Sequence, residues 1–260
     1  MFYTGGLPRK LGQHFLTSEF VLAQIAAAAG QDAPQCIVEI GPGRGALTRH
    51  LLPLCQRLHV IELDSRLVDF LTHKFNNFSS LQIHHADALD TNLAQWGPAV
   101  IAGNLPYYIT SPIVERFLKL DAGFPTAVFL MQWEVAQRLL AQPHSRDYGY
   151  LTVATQTVCQ VELVCKVPAS AFSPPPKVES AALKLTRRPE LTPDLPALLT
   201  FVGRCFTHKR KTLRNNLRPF YGTAIDGMPE AGLRAEQLPL GQFADLRARL
   251  LSTQLSSGSK

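Results

Sequence analysis

Short apolar runs separated by helix-length segments dominate the first two thirds of the chain. They fall at 36–40, 58–62, 81–85, 99–102 and 127–131. Runs of four or five residues, rich in Val, Ile, Leu and Ala, are too short for helices and predict strands buried on both faces. Their alternation with longer segments predicts an α/β fold: a Rossmann-like parallel sheet covered by helices on each side. Ahead of the first run, Thr17-Ser18-Glu19 predicts the capped start of a helix through Ala29, with Gly30 as its stop. Beyond the last, 163–167 and 178–185 read as an extended pair closing the sheet edge, with Pro174-Pro175-Pro176 a stiff loop between them.

From Pro189 the pattern shifts. Pro189, Pro193 and Pro196 punctuate a linker, after which Leu198, Leu199, Phe201, Val202, Cys205 and Phe206 recur at helical spacing. The division expected is a domain of 1–188 with an N-terminal arm and a small helical domain of 189–260. The Ser-rich end, 256–260, is expected to fray.

Composition adds limits rather than a function. With 46% hydrophobic and 18% charged residues in a chain of 260, a folded globular protein is expected and disorder excluded. Lys and Arg outnumber Asp and Glu by 26 to 20, a net charge of +6, so polyanionic partners fit. Cys36, Cys55, Cys159, Cys165 and Cys205 lack paired spacing, which points to a reducing, cytoplasmic setting with neither disulfides nor a metal site. The first residues lack the basic-then-apolar pattern of a secretory signal, and the apolar run from Val21 to Ala29 is too short for a bilayer.

The chemistry lies at the strand ends. Gly41, Gly43 and Gly45 follow the first run directly and precede Ala46-Leu47-Thr48, read as the start of a helix, so the backbone turns tightly and stays close to a ligand. Glu62 ends the second run, where a carboxylate can accept both hydrogen bonds of a ribose diol. Asp87 ends the third, as an acceptor for an adenine amino group or as a helix cap. A dinucleotide-dependent dehydrogenase shares the first two features. It does not share Asn104-Leu105-Pro106-Tyr107, which follows the fourth run at the edge where open parallel sheets bind ligands. An adenine amino nitrogen is a poor nucleophile until acceptors hold its two hydrogens and favour a tetrahedral geometry. Asn104 offers one acceptor, Pro106 fixes the turn and removes a competing donor, and Tyr107 offers a face for an extruded base.

Gln13-His14-Phe15-Leu16, Glu39-Ile40-Gly41-Pro42-Gly43-Arg44-Gly45, Asn104-Leu105-Pro106-Tyr107 and Phe172-Ser173-Pro174-Pro175-Pro176-Lys177-Val178 together resemble the ribosomal RNA adenine N6,N6-dimethyltransferases, most closely the branch acting on small-subunit RNA. The likeness runs from Arg9 to near Arg218. It implies an enzyme of the S-adenosylmethionine class whose cofactor touches His14, Leu16, Gly41, Gly43, Glu62, Asp87 and Asn104. It also implies that Asn104, Leu105, Pro106, Tyr107 and Phe172 serve the target base, with Tyr107 and Phe172 flanking it. The substrate implied is a pair of adjacent adenosines in a 3′-terminal hairpin of 16S rRNA, modified by a monomer during small-subunit assembly. Two departures stand out: His14 replaces a frequent asparagine, and Trp133 replaces a usual basic residue.

Between Arg204 and Arg218 lie Arg204, Lys209, Arg210, Lys211, Arg214 and Arg218, with no acidic residue among them. A basic helix is expected, docked through Leu213 and Leu217 and facing RNA phosphate with its cations. Lys177, Arg187 and Arg188 are expected to extend that surface toward the active site. The competing readings are a large-subunit methyltransferase of the resistance type and a non-catalytic RNA-binding assembly factor.

Overall fold

The computed structural model describes residues 14–189 and 194–257. Expectations that involve Arg9, Gln13, Pro193 and the end of the Ser-rich tail fall outside them.

Strands β1 (Phe15–Leu16) and β8 (Phe172–Ser173) form a small antiparallel pair. Seven further strands make one sheet: β2 (Cys36–Ile40), β3 (Arg57–Glu62), β4 (Leu81–His85), β5 (Val100–Asn104), β6 (Thr126–Gln132), β7 (Cys159–Val167) and β9 (Ser180–Arg187). Their order is β4-β3-β2-β5-β6-β9-β7, with the first five parallel and β9 and β7 antiparallel to their neighbours. The expected edge pair thus closes the sheet. The chain winds outward from β2 to β4 and returns to β5, so the topological switch lies between β2 and β5, where such sheets open a crevice at their carboxyl ends.

The strands read as continuously apolar because both faces are covered. Cys36, Val38 and Ile40 enter one core with α4 (Thr110–Lys119), α5 (Trp133–Leu140) and α6 (Tyr150–Val158). Ile37, between them, enters the other core with α1 (Glu19–Gly30), α2 (Thr48–Leu51) and α3 (Ser65–Lys74). Ser18 caps α1 by accepting from Val21 N at 3.5 Å. Gly30 does not stop this helix. It belongs to its last turn, where a Cβ would stand 2.9 Å from Leu54 Cδ1, so its role is close packing. Leu22 and Ile25 of α1 are fully buried, each stabilising by about 1.5–3 kcal/mol relative to exposure.

After β9 come α7 (Leu195–Cys205), α8 (Leu213–Tyr221) and α9 (Gln242–Ser257), joined in part by short 3₁₀ turns. Leu198, Phe201, Val202, Leu213, Leu217, Phe243 and Leu246 form a third core that also takes Tyr148 and Val153. Tyr148 donates to Leu238 O at 3.1 Å, and burial pushes its phenol up to about 12.

The basic stretch is not one helix. Buried Asn216 donates to Cys205 O at 2.8 Å and His208 O at 3.2 Å and accepts from His208 N at 3.2 Å, which ends α7 and folds 206–212 into a turn. Thr212 then caps α8. Among the described residues no helix is long and apolar enough to cross a membrane.

Candidate active site

A cleft of about 860 Å³ opens at the switch point, within the range of small-molecule sites. The glycine loop floors it. Gly41, Gly43 and Gly45 have φ of +69°, +57° and +74°, a region in which other residues are strained. The helix begins later than expected: Gly45 to Leu47 are a turn and α2 starts at Thr48.

The ends of β3, β4 and β5 each contribute one polar group. Glu62, 6% exposed, accepts from Leu63 N at 2.9 Å and Asp64 N at 3.0 Å through Oε1 and from Gly43 N at 3.1 Å through Oε2. These bonds fix the carboxylate against the loop and leave lone pairs for a diol. Asp87 accepts from Leu89 N at 2.7 Å through Oδ1, a local turn that leaves Oδ2 for a ligand. The Asn104 amide is oriented by a bond across the cleft: Nδ2 donates to His14 O at 3.3 Å, so Oδ1 is its acceptor side. Leu105 is buried, with its N–H on Leu130 O at 3.0 Å, and Pro106 O accepts from Ile109 N at 3.0 Å, closing the turn that carries Tyr107. Tyr107 is bonded to Ser180 Oγ at 3.0 Å, with its ring stacked on His14 at 6.0 Å between centroids. His14 Nδ1 in turn contacts Pro174 O at 2.8 Å.

His14, Leu16, Gly41, Gly43, Glu62, Asp87, Asn104, Leu105, Pro106 and Tyr107 therefore line one cavity. Phe172 does not join them. At 4% exposure it packs in the second core opposite Leu16, and the alternation of β8 presents Ser173 to the cleft instead. Arg187 and Arg188 are also displaced from the expected surface. Strand β9 is antiparallel, so Ser180 lies at the cleft and Arg187 at the far end, where Arg187 is 9% exposed and donates to Phe124 O at 3.3 Å and Phe117 O at 2.8 Å. Lys177, next to that near end, is exposed.

The cleft also gathers residues that motif reading passed over. Glu39, 1% exposed, accepts from Thr48 Oγ1 at 2.7 Å, and burial, reinforced by the nearby Glu62, pushes its carboxyl up to about 8. A lone carboxylate within Cys36-Ile37-Val38-Glu39-Ile40 was the available signal. Tyr108 is 59% exposed on the rim, its phenol raised by desolvation and by the Asp87 and Glu62 carboxylates.

In the basic stretch, Lys209, Arg210 and Lys211 are exposed in the turn between α7 and α8, with Lys209 donating to Arg146 O. Arg204 stacks on Phe220 at 4.3 Å, whereas Arg214 and Arg218 meet Asp226 at 3.1 and 3.7 Å. Among the described residues no His, Cys, Asp or Glu cluster is placed to hold a metal ion.

The sheet with its reversed edge pair, a glycine loop below the Glu62 carboxylate, and an Asn-Leu-Pro-Tyr turn at the switch point define a class I S-adenosylmethionine-dependent methyltransferase. Within that class the chain belongs to the ribosomal RNA adenine dimethylase family, whose profile matches residues 7–248. It is 42% identical over 260 aligned positions to the ribosomal RNA small subunit methyltransferase A of Rippkaea orientalis, covering 91% of this chain and 95% of that one. With its counterpart in Chlorobium luteolum it is 39% identical, covering 92% and 88%. Among solved structures, a dimethyladenosine transferase from Plasmodium falciparum superposes with a TM-score of 0.79 at 27% identity, covering 94% of this chain and 98% of that one. The 23S rRNA methyltransferase ErmE gives 0.68 at 31%, covering 91% and 99%. Family membership removes the dehydrogenase reading.

Proposed function

We propose that the protein transfers methyl groups from S-adenosylmethionine to the N6 amino groups of two adjacent adenosines in a 3′-terminal hairpin of small-subunit rRNA, forming N6,N6-dimethyladenosine while the small subunit assembles. The observation that carries this reading is the Asn104 amide, held by His14 O so that its oxygen is the acceptor at the switch point. The curated relatives favour small-subunit over large-subunit RNA.

The cleft fits the cofactor on its own chemistry: carboxylate acceptors at Glu62 and Asp87, a loop of positive-φ glycines, and enough volume. When bound, S-adenosylmethionine supplies an electrophilic methyl group on a sulfonium. Glu62 takes the ribose hydroxyls and Asp87 the cofactor's adenine amino group, while His14, Leu16, Gly41 and Gly43 wall the rest. Asn104 Oδ1 and a backbone carbonyl of the turn accept the target amino hydrogens, holding the nitrogen lone pair toward the methyl group. No strong base is needed, because orientation and a cation-tolerant aromatic face supply the rate. Tyr107 provides that face. In this arrangement Phe172 acts from behind, as the packed support of β8 and the Pro174 carbonyl that holds His14.

Residues 189–260 serve as the RNA-binding unit of this reading. Lys209, Arg210 and Lys211 contact phosphate directly, Arg204 and Arg214 contribute beside them, and Lys177 reaches RNA at the cleft. Labelled S-adenosylmethionine offered with undermethylated small-subunit particles, large-subunit RNA and DNA tests the assignment. Label should enter the first substrate; label confined to either of the others refutes it.

A further inference from the structure

The proposed contacts leave one part of the cofactor unmatched. Glu62 and Asp87 are acceptors and Asn104 Oδ1 serves the target base, whereas the amino-acid end of S-adenosylmethionine carries an α-carboxylate, which needs a donor and is best met by a fixed cation. Besides His14, three basic residues among those described line the cleft: Arg44, Arg49 and Lys74.

Two of the three are engaged. Arg49 is paired with Glu19, which also meets His50 at 3.1 Å. Lys74 donates to Arg44 O at 2.8 Å and lies over Phe75 at 5.1 Å and Phe70 at 5.6 Å. His14 Nδ1 is held at Pro174 O. Arg44 alone of the three forms neither an ion pair nor a side-chain hydrogen bond among the described residues, yet it is positioned. Its guanidinium stands 4.7 Å above the Phe15 ring. That ring packs so closely on the glycine loop that a Cβ at Gly43 would lie 3.1 Å from Phe15 Cε1. The loop backbone is fixed on either side of Arg44, by Glu62 on Gly43 N and by Lys74 on Arg44 O. A planar cation stacked on an aromatic face and attached to a pinned loop keeps its edge donors available for a bidentate carboxylate.

Resting on the cofactor reading above, we infer that Arg44 anchors the α-carboxylate of the cofactor's amino-acid end. Motif reading treats position 44 as an unspecified residue between two functional glycines; the stack on Phe15 gives it a task.

Calorimetry with two ligands tests this. S-Adenosylhomocysteine retains the α-carboxylate, whereas 5′-methylthioadenosine keeps the adenosine and thioether and lacks the amino-acid end. Arg44→Ala should weaken S-adenosylhomocysteine by roughly 10- to 100-fold, the worth of a hydrogen-bonded charge, and leave 5′-methylthioadenosine at the wild-type affinity. Arg44→Lys should recover part of the loss. Equal weakening of both ligands would mean a disturbed loop and overturn the assignment, as would unchanged S-adenosylhomocysteine affinity. Lost RNA affinity with both small ligands unaffected would place an RNA phosphate on Arg44 instead. Failure of the wild-type protein to bind either ligand would refute the cofactor reading itself.

Discussion

The cleft and the basic turn between α7 and α8 meet their ligands in opposite ways. In the cleft nearly every polar group is committed beforehand: Glu62 to three backbone N–H groups, Asn104 to His14 O, Tyr107 to Ser180. Each such group keeps its remaining acceptors aimed, and single substitutions should be severe. In the turn, Arg210 and Lys211 project from an exposed loop and form no ion pair among the described residues. On the proposed reading their work is Coulombic, cumulative and sensitive to salt. On the same reading, chemistry is concentrated in a few oriented atoms, and RNA attachment is spread over several exposed charges.

The contrast breaks first at Asn104. Asn104→Ala should lower methyl transfer by about 10²–10³-fold, the scale for removing one oriented group in a catalytic site, while S-adenosylhomocysteine affinity stays close to wild type. Equal losses in both assays would make Asn104 a cofactor residue. Glu62→Ala should show the reverse emphasis: cofactor affinity falls about 10- to 100-fold by calorimetry, with RNA binding intact.

In the turn the expected effects are smaller. Replacing Lys209, Arg210 and Lys211 together by Ala should weaken RNA binding about tenfold and reduce the slope of log K against log salt by about 2–3. An unchanged slope would place the RNA elsewhere. Arg214→Ala alone should cost less than any one of the exposed three, because Asp226 already answers its charge.

A separate effect concerns stability and pH. Glu39 keeps its proton to about pH 8 in the folded protein, against an ordinary value of 4.5, so the unfolded chain binds fewer protons between those limits. Stability from this group is complete below pH 4.5 and is lost as pH rises through about 8. Glu39→Gln should remove that trend, with the two unfolding temperatures diverging in favour of the variant as pH rises. Parallel curves would show that Glu39 is ionised throughout.

Much of the cleft is legible in the sequence because each residue follows its strand directly. Gly41, Glu62, Asp87 and Asn104 need only a correct strand assignment and the rule for open sheets. What escapes motif reading depends on pairing or direction. Phe172 turns inward because β8 pairs with β1, and Arg187 lies far from the cleft because β9 is antiparallel. The break at 206–212 rests on Asn216 reaching Cys205 O across the chain, a tertiary bond invisible to helical periodicity. Arg214 and Arg218 look unopposed until the fold brings up Asp226, beyond the stretch in which their charges were counted.

The central claim, that the Asn104 turn drives double methylation of adenine amino groups, is tested most directly by the product itself. Undermethylated small-subunit particles should be incubated with the protein and S-adenosylmethionine, and their RNA digested and analysed by mass spectrometry. The account predicts N6,N6-dimethyladenosine at two neighbouring positions of the 3′-terminal hairpin. Methylation at a ring nitrogen, at a ribose or at another base would contradict it.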